Sequence, residues 1–135
     1  YGLWGQDSQH LLAVGGGGTV LRWNGDKWKT FSAGTDYDLY GVQGASLNKV
    51  VLVGLVGTLI RFEDNAWQRD FSGVRSDLHA VTQDGETFYV AGSNGTILRN
   101  SAGIWELEES SVECTLQTLL NVNGTIYAAG SGGVQ

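Results

Sequence analysis

The sequence predicts an all-β protein made of four-stranded antiparallel units arranged as the blades of a partial β-propeller. A skeleton of Gly-Thr, two apolar residues, Arg and a later Trp occurs three times, within residues 15–28, 54–67 and 92–105. Trp28 and Trp67 are 39 residues apart, and Trp67 and Trp105 are 38 apart. A period near forty is typical of a propeller blade. The chain also has 21 glycines and no proline, which indicates short strands joined by tight turns.

The first repeat, residues 1–39, is divided into four strands by its turn residues. We expect these strands at 1–5, 10–14, 19–23 and 28–32. The glycines at 15–18 predict a hairpin loop with positive φ, and Asn24-Gly25 predicts a type I′ turn. The second repeat covers residues 40–78 and the third covers residues 79–116. The second strand of each repeat is almost continuously apolar, which predicts burial between neighbouring blades.

A fourth copy begins at residue 117, turns at Asn123-Gly124 and breaks off in the segment 130–135. We expect two strands there, so residues 117–135 form a half blade and the chain has about three and a half blades. Closed propellers have four to eight blades. Two copies of this chain would give seven, which predicts a homo-oligomer, in the first instance a dimer. The alternative is that these residues are part of a longer propeller chain.

Composition argues against several classes of protein. The net charge is −6 with only eight Lys and Arg, whereas a nucleic-acid interface needs a clustered basic stripe. No stretch reaches the ~20 apolar residues of a membrane-spanning helix, so no membrane insertion is predicted. The single cysteine, Cys114, excludes an internal disulfide. His10 and His79 have no metal-like spacing to other ligands, and neither a metal nor a cofactor is expected.

The repeated arginines and tryptophans favour a structural role. Arg22, Arg61 and Arg99 occupy the same strand position, so blade symmetry keeps them too far apart to clamp one carboxylate. We expect each to pair with an acid or to stack on a neighbouring Trp. The repeated tryptophans begin the outer strand and are predicted to fill the gaps between blades. They are Trp28, Trp67 and Trp105.

A second repeated feature lies at the entrance to the innermost strand. Asp38 and Asp77 are 39 residues apart, and Thr115 takes their place in the third copy. The preferred interpretation is that these side chains cap backbone N–H groups. The alternative is a ring of carboxylates at the channel mouth that holds a cation or a sugar hydroxyl. His79 stands where the earlier copies have Tyr1 and Tyr40, and it lines the channel or varies a packing site.

The copies differ most in the loops that lead from the fourth strand to the next first strand. These loops are residues 33–38, 73–77 and 110–115. Variable loops on a constant frame are the usual place for binding specificity. The side chains predicted to contact a partner there are Asp36, Tyr37 and Arg75, with Asp38, Asp77 and His79 as further candidates.

The repeat resembles bacterial propeller repeats of the Ycf48 type, related to photosystem II assembly factors, and BNR (Asp-box, sialidase-like) blades. The motifs that carry the resemblance are residues 39–42, 14–15, 18–22 and 25–28 with their later counterparts. The resemblance implies a propeller of seven or a similar number of blades, and an extracellular or cell-envelope location. In this chain the Asp of the Asp-box is replaced by Trp23, Phe62 and Asn100.

Three functions follow as hypotheses. The first is a non-catalytic scaffold, not an enzyme, which binds a protein partner through its loops. The second is a lectin-like propeller that binds carbohydrate between blades with an aromatic and an amide or carboxylate. The third is an Asp-box hydrolase. It is the weakest hypothesis, because no acid pair, activated nucleophile or arginine triad can be assembled from the residues.

Overall fold

The computed structural model describes residues 1–101, 103–108, 110–131 and 133–134. Within these ranges the chain is all-β, with short 3₁₀ turns at Gly16–Gly18 and Ser93–Gly95 and no α-helix. Sheet 1 contains β1 (Gly2–Asp7), β2 (His10–Val14), β3 (Thr19–Trp23) and β4 (Trp28–Ser32). Sheet 2 contains β5 (Leu39–Ser46), β6 (Lys49–Gly54), β7 (Leu59–Glu63) and β8 (Ala66–Arg69).

The remaining strands form two further sheets of the same kind. Sheet 3 contains β9 (Leu78–Asp84), β10 (Thr87–Gly92), β11 (Ile97–Ser101) and β12 (Ile104–Glu108). Sheet 4 contains β13 (Leu116–Val122), β14 (Thr125–Gly130) and β15 (Gly133–Val134). In every sheet the strands follow chain order and pair antiparallel with the next strand. The first strands of successive sheets contact one another, β1 with β5, β5 with β9 and β9 with β13.

The hydrophobic core lies between the sheets, in three separate clusters. Leu12, Val20 and Ile60 belong to the cluster between sheets 1 and 2. Val53 and Phe88 belong to the cluster between sheets 2 and 3. The cluster between sheets 3 and 4 is the smallest and contains Ala91, Leu116 and Ala128. Strand β6 is buried on both faces because it has a sheet on either side, which confirms the prediction from its continuous apolar run.

Two local predictions need correction. Asn24 does not adopt positive φ, so Asn24-Gly25 is not a type I′ turn; the Asn24 side chain instead accepts hydrogen bonds from the N–H groups of Asp26 and Lys27. Sheet 4 has three strands, whereas two were predicted, because the short strand Gly133–Val134 pairs with β14. The predicted break at 130–135 also includes Gly132 and Gln135, which lie outside the described residues.

Other turns agree with their sequence signals. Asn123 and Gly124 both have positive φ, as a type I′ turn requires. Gly17 and Gly18 in the first glycine loop also have positive φ. Across the described ranges, no helix has the length and apolar character needed to cross a membrane.

Candidate functional site

The glycine loops and the connections between sheets meet along one edge of the sheets, which we call the loop edge. The N–H of Gly57 donates to the carbonyl oxygen of Ser76 at 2.9 Å. The N–H of Gly95 donates to the carbonyl oxygen of Cys114 at 2.7 Å. The loops predicted to carry specificity therefore pack directly against the glycine loops, and both face the same side of the molecule.

One glycine in each glycine loop is required by close packing against the connection. Gly18, Gly57 and Gly95 have φ of 76°, 67° and 66°. A Cβ at these positions would collide with the carbonyl oxygens of residues 35, 74 and 112 respectively. Only glycine satisfies both the positive φ and the close approach. We call this repeated contact the glycine clasp.

Asp38 and Asp77 cap backbone N–H groups at the loop edge. Oδ1 of Asp38 accepts a hydrogen bond from the N–H of Gly17 at 2.8 Å. Oδ1 of Asp77 accepts one from the N–H of Val56 at 2.9 Å. Each carboxylate lies on the connection leading into one sheet and caps the glycine loop of the preceding sheet. This is the capping arrangement preferred from the sequence, and it joins neighbouring sheets.

A row of three rings lies at the starts of the first strands of sheets 1, 2 and 3. The ring centroids of Tyr1 and Tyr40 are 5.3 Å apart, and those of Tyr40 and His79 are also 5.3 Å apart with nearly parallel planes. Nε2 of His79 lies 3.2 Å from Oγ of Ser93. Burial raises the pKa of Tyr40, and the negative charges of Asp38 and Asp77 raise it further. The Tyr40 hydroxyl therefore stays protonated, as a donor, to a higher pH than an ordinary tyrosine.

Asp36 and Tyr37 line an open cleft at the loop edge, together with Arg69 from sheet 2. The cleft has a volume of about 660 Å³. Cζ of Arg69 lies 6.0 Å from the centroid of the Tyr37 ring, at the limit for a cation–π contact. Tyr37 is 43% exposed. The cleft thus combines an aromatic ring, a guanidinium and a carboxylate that all remain accessible to a ligand.

Two exposed apolar side chains in the loops of sheet 2 were not among the residues predicted to contact a partner. Phe71, two residues after the end of β8, is 91% exposed, and Val56 in the second glycine loop is 43% exposed. A signal for Phe71 existed, because the corresponding residues of the other copies are Ser32 and Glu109. The predicted residue Arg75 is exposed on the next connection and does not line the cleft.

The repeated arginines and tryptophans have unequal surroundings. Nη1 of Arg61 lies 2.8 Å from Glu63 and Nε lies 3.2 Å from Asp70. The indole N–H of Trp105 donates to the same Asp70 carboxylate at 2.9 Å, which links sheets 2 and 3. Trp67 packs against the core between sheets 1 and 2.

Within the described structure, Trp28 does not fill a gap between two sheets. This side chain is 44% exposed on the outer face of sheet 1. Its ring centroid lies 5.5 Å from that of Trp23 in the same sheet. Sheet 2 lies on the opposite face of sheet 1, so the gap-filling role stays a prediction for Trp28. Its exposure follows from the position of its sheet.

The described residues contain no group of three or more His, Cys, Asp or Glu side chains placed to hold a metal ion. A comparison with protein-family models gave no match for this chain. A comparison with curated protein sequences also gave no significant match.

Proposed function

We propose that this chain is a partial β-propeller that serves as a non-catalytic scaffold and binds a protein partner at its loop edge. Four consecutive antiparallel sheets, each with its first strand against the first strand of the next, support the propeller architecture. The division of the repeat into a constant frame and variable loops supports a binding role.

The observation that carries the binding function is the composition of the loop edge. Tyr37 and Arg69 are exposed and line one cleft, and Phe71 and Arg75 are exposed on the connection that follows β8. Tyr, Phe and Arg are enriched in protein interfaces, and Tyr and Arg often supply most of the binding energy. Isolated exposed apolar residues are common, but aromatics grouped with arginines on one edge indicate a contact surface.

Matched variants of the full chain test this assignment. A partner isolated with the wild-type chain should bind at least tenfold more weakly to Phe71→Ser and Tyr37→Ala, because each loses a central aromatic contact worth about 1.4 kcal/mol or more. The control is Glu86→Ala, since Glu86 is exposed in the hairpin turn at the opposite edge. Equal loss in all three variants, or selective binding to a glycan array with no protein partner, would contradict the proposal.

The two end sheets have apolar faces that the described structure leaves open. Trp28 and Leu3 lie on the free face of sheet 1, 44% and 67% exposed. The residues 39 positions later, Trp67 and Val42, belong to the core between sheets 1 and 2. The free face of sheet 1 therefore resembles in composition the equivalent face of sheet 2, which is covered by sheet 1.

Sheet 4 has a comparable free face. Leu119 and Ala128 belong to the cluster that faces sheet 3. Leu120, Val122 and Tyr127 lie on the opposite face and are 60%, 44% and 45% exposed. Tyr127 corresponds to Tyr89, a half-buried residue in the groove between sheets 3 and 4.

We propose that a second copy covers both faces, sheet 4 of one copy packing on sheet 1 of the other. Light scattering over a wide concentration range should then give twice the chain mass of 14.4 kDa. Trp28→Lys and Leu120→Asp should each produce monomers, because either places a charge in the interface. Phe71→Ser, which removes an exposed aromatic away from these faces, should leave the dimer intact. If the wild-type chain stays monomeric, the sheets that cover these faces would have to come from elsewhere in a longer polypeptide.

A further inference from the structure

The three grooves between neighbouring sheets each contain one of the repeated arginines. Arg22 lines the groove between sheets 1 and 2, Arg61 that between sheets 2 and 3, and Arg99 that between sheets 3 and 4. Because the grooves are related by the repeat, their linings can be compared position by position.

The comparison shows that acids accompany two of the arginines and not the third. Nine residues after the arginine the copies have Phe31, Asp70 and Glu108. Directly across the strand pair they have Lys29, Gln68 and Glu106. Two residues after the arginine they have Asn24, Glu63 and Ser101. At these positions sheet 1 therefore has two cations and no acid, whereas sheets 2 and 3 each have one arginine and two acids.

Arg22 and Lys29 have no ion pair or side-chain hydrogen bond with any residue that the structure describes. Lys29 makes a cation–π contact, with Nζ 5.5 Å from the centroid of the Phe31 ring. Like charges directly opposite each other on a sheet are destabilising. A bound anion would offset that repulsion, and such a site stands out in a chain whose net charge is −6.

Apart from Arg22 and Asn65, the residues that line the groove are apolar or aromatic. The groove has a volume of about 260 Å³, and its walls are formed by Leu12, Phe31, Phe62 and Trp67. At about 30 Å³ for each water molecule, this is room for roughly nine waters, or for one aromatic ring with a short acidic substituent. Asn65, in the β7–β8 turn, also lines the groove, so the groove reaches the edge opposite the loop edge.

We propose that the groove between sheets 1 and 2 binds a small aromatic carboxylate. Arg22 pairs with the carboxylate through its planar guanidinium, which matches the two oxygens, and Lys29 adds attraction from the rim. The aromatic body packs among Phe31, Phe62 and Trp67, where apolar burial and ring contacts stabilise it. The apolar walls favour this ligand over inorganic phosphate, whose oxygens would lose water without gaining partners. The site is formed within one chain and does not depend on how the ring is completed.

The probe for this site is 3-phenylpropionate, titrated into the ¹⁵N-labelled full chain. We expect saturable binding with a Kd of about 1 mM or tighter. The indole N–H signal of Trp67, assigned with Trp67→Phe, should shift more than the other four Trp indole signals. The uncharged analogue 3-phenylpropionamide should bind at least tenfold more weakly. No saturable shift up to about 10 mM, equal binding of acid and amide, or preferential binding of phosphate would overturn the proposal.

Three variants separate the site from a general effect of folding. Arg22→Gln should weaken binding at least tenfold. Phe31→Asp should abolish binding, because it supplies the acid that sheet 2 has at Asp70. Arg61→Gln should bind as the wild type does, since Arg61 lines the next groove. Each variant is first shown to keep the wild-type circular dichroism spectrum. Unchanged binding in both Arg22→Gln and Phe31→Asp, or equal loss in Arg61→Gln, would overturn the assignment.

Discussion

Val56 adopts a backbone conformation that is unfavourable for a β-branched residue. Its φ is 55°, whereas the corresponding positions in the other glycine loops are Gly17 and Asn94, with φ of 65° and 58°. A β-branched residue at positive φ is strained by roughly 1–2 kcal/mol. The residue lies on the surface that we assign to partner binding, where strain is often retained for function.

We predict that Val56→Asn stabilises the fold by about 1 kcal/mol, because Asn tolerates the left-handed region better than Val. Urea unfolding should show a higher midpoint with an unchanged slope. The reciprocal variant Gly17→Val should lower the midpoint. Equal midpoints for wild type and Val56→Asn would show that the loop holds no strain at this residue.

The raised pKa of Tyr40 predicts that the fold loses stability at alkaline pH. This pKa is raised above the ordinary value of 10.0, by burial first and then by Asp38 and Asp77. The stability contributed by the protonated hydroxyl is fully present below pH 10 and is lost as pH rises through the raised folded pKa, since the unfolded chain releases this proton first.

We therefore predict that Tyr40→Phe reduces the loss of stability between about pH 8 and pH 11, because phenylalanine has no proton to release. The measurement is urea unfolding at both pH values. Tyr37→Phe, which removes another phenol from the loop edge, is the control. If wild type and Tyr40→Phe lose the same stability, Tyr40 does not contribute to the alkaline transition.

At the level of secondary-structure elements, the glycine clasp connects each glycine loop to the connection that follows its sheet. We predict that Gly57→Ala destabilises the fold by about 3 kcal/mol or more, because the new Cβ combines unfavourable φ with a collision against the Val74 carbonyl. Gly34→Ala is the matched control: φ is 82° there, but nothing lies within 4 Å of the added Cβ. If thermal unfolding shows the same loss of stability in both variants, the collision with the carbonyl is not the cause.

At the scale of the whole molecule, each core cluster of the described residues lies between two neighbouring sheets. Stability in such an arrangement is approximately a sum of unit and nearest-neighbour terms. Among the described residues, sheet 4 packs on sheet 3 through the smallest core cluster, so we expect it to open first.

Hydrogen exchange tests this expectation. Amides of β13 and β14 should exchange faster than those of β6, which is buried on both faces. If a second copy covers sheet 4, protection of β13 should increase with chain concentration, while that of β6 should change little. Uniform exchange across all four sheets would show that the molecule unfolds as one unit instead.

Most of the strands could be predicted from the sequence, because the same strand pattern occurs in three copies. Asp38 and the loop glycines recur at equivalent positions, which strengthens the prediction that they have a structural role. The structure places them in equivalent contacts. Recurrence does not predict what differs between the copies. The environment of Trp28 depends on which sheet lies beside it, and the difference at Arg22 lies in residues that do not repeat.

Part of the candidate site was visible in the sequence, because variable loops on a constant frame drew attention to Asp36 and Tyr37. Their neighbour Arg69 was missed, since it lies on a strand of the next sheet and joins them only through tertiary packing. Phe71 required a comparison of copies at a position outside the conspicuous motif.

The glycine clasp has a consequence for engineering. In each repeat the carbonyl that meets the glycine lies 17 residues further along the chain, at residues 35, 74 and 112. The chain thus returns to the same point after the same length of backbone three times, whatever side chains it carries in between. We therefore expect a connection to keep this contact when it is exchanged between sheets with the 17-residue spacing preserved. Grafting residues 33–38 onto the equivalent connection of another sheet should transfer their binding properties to that sheet. Chains that carry the same loop, or chosen loops, on every sheet could be built in this way.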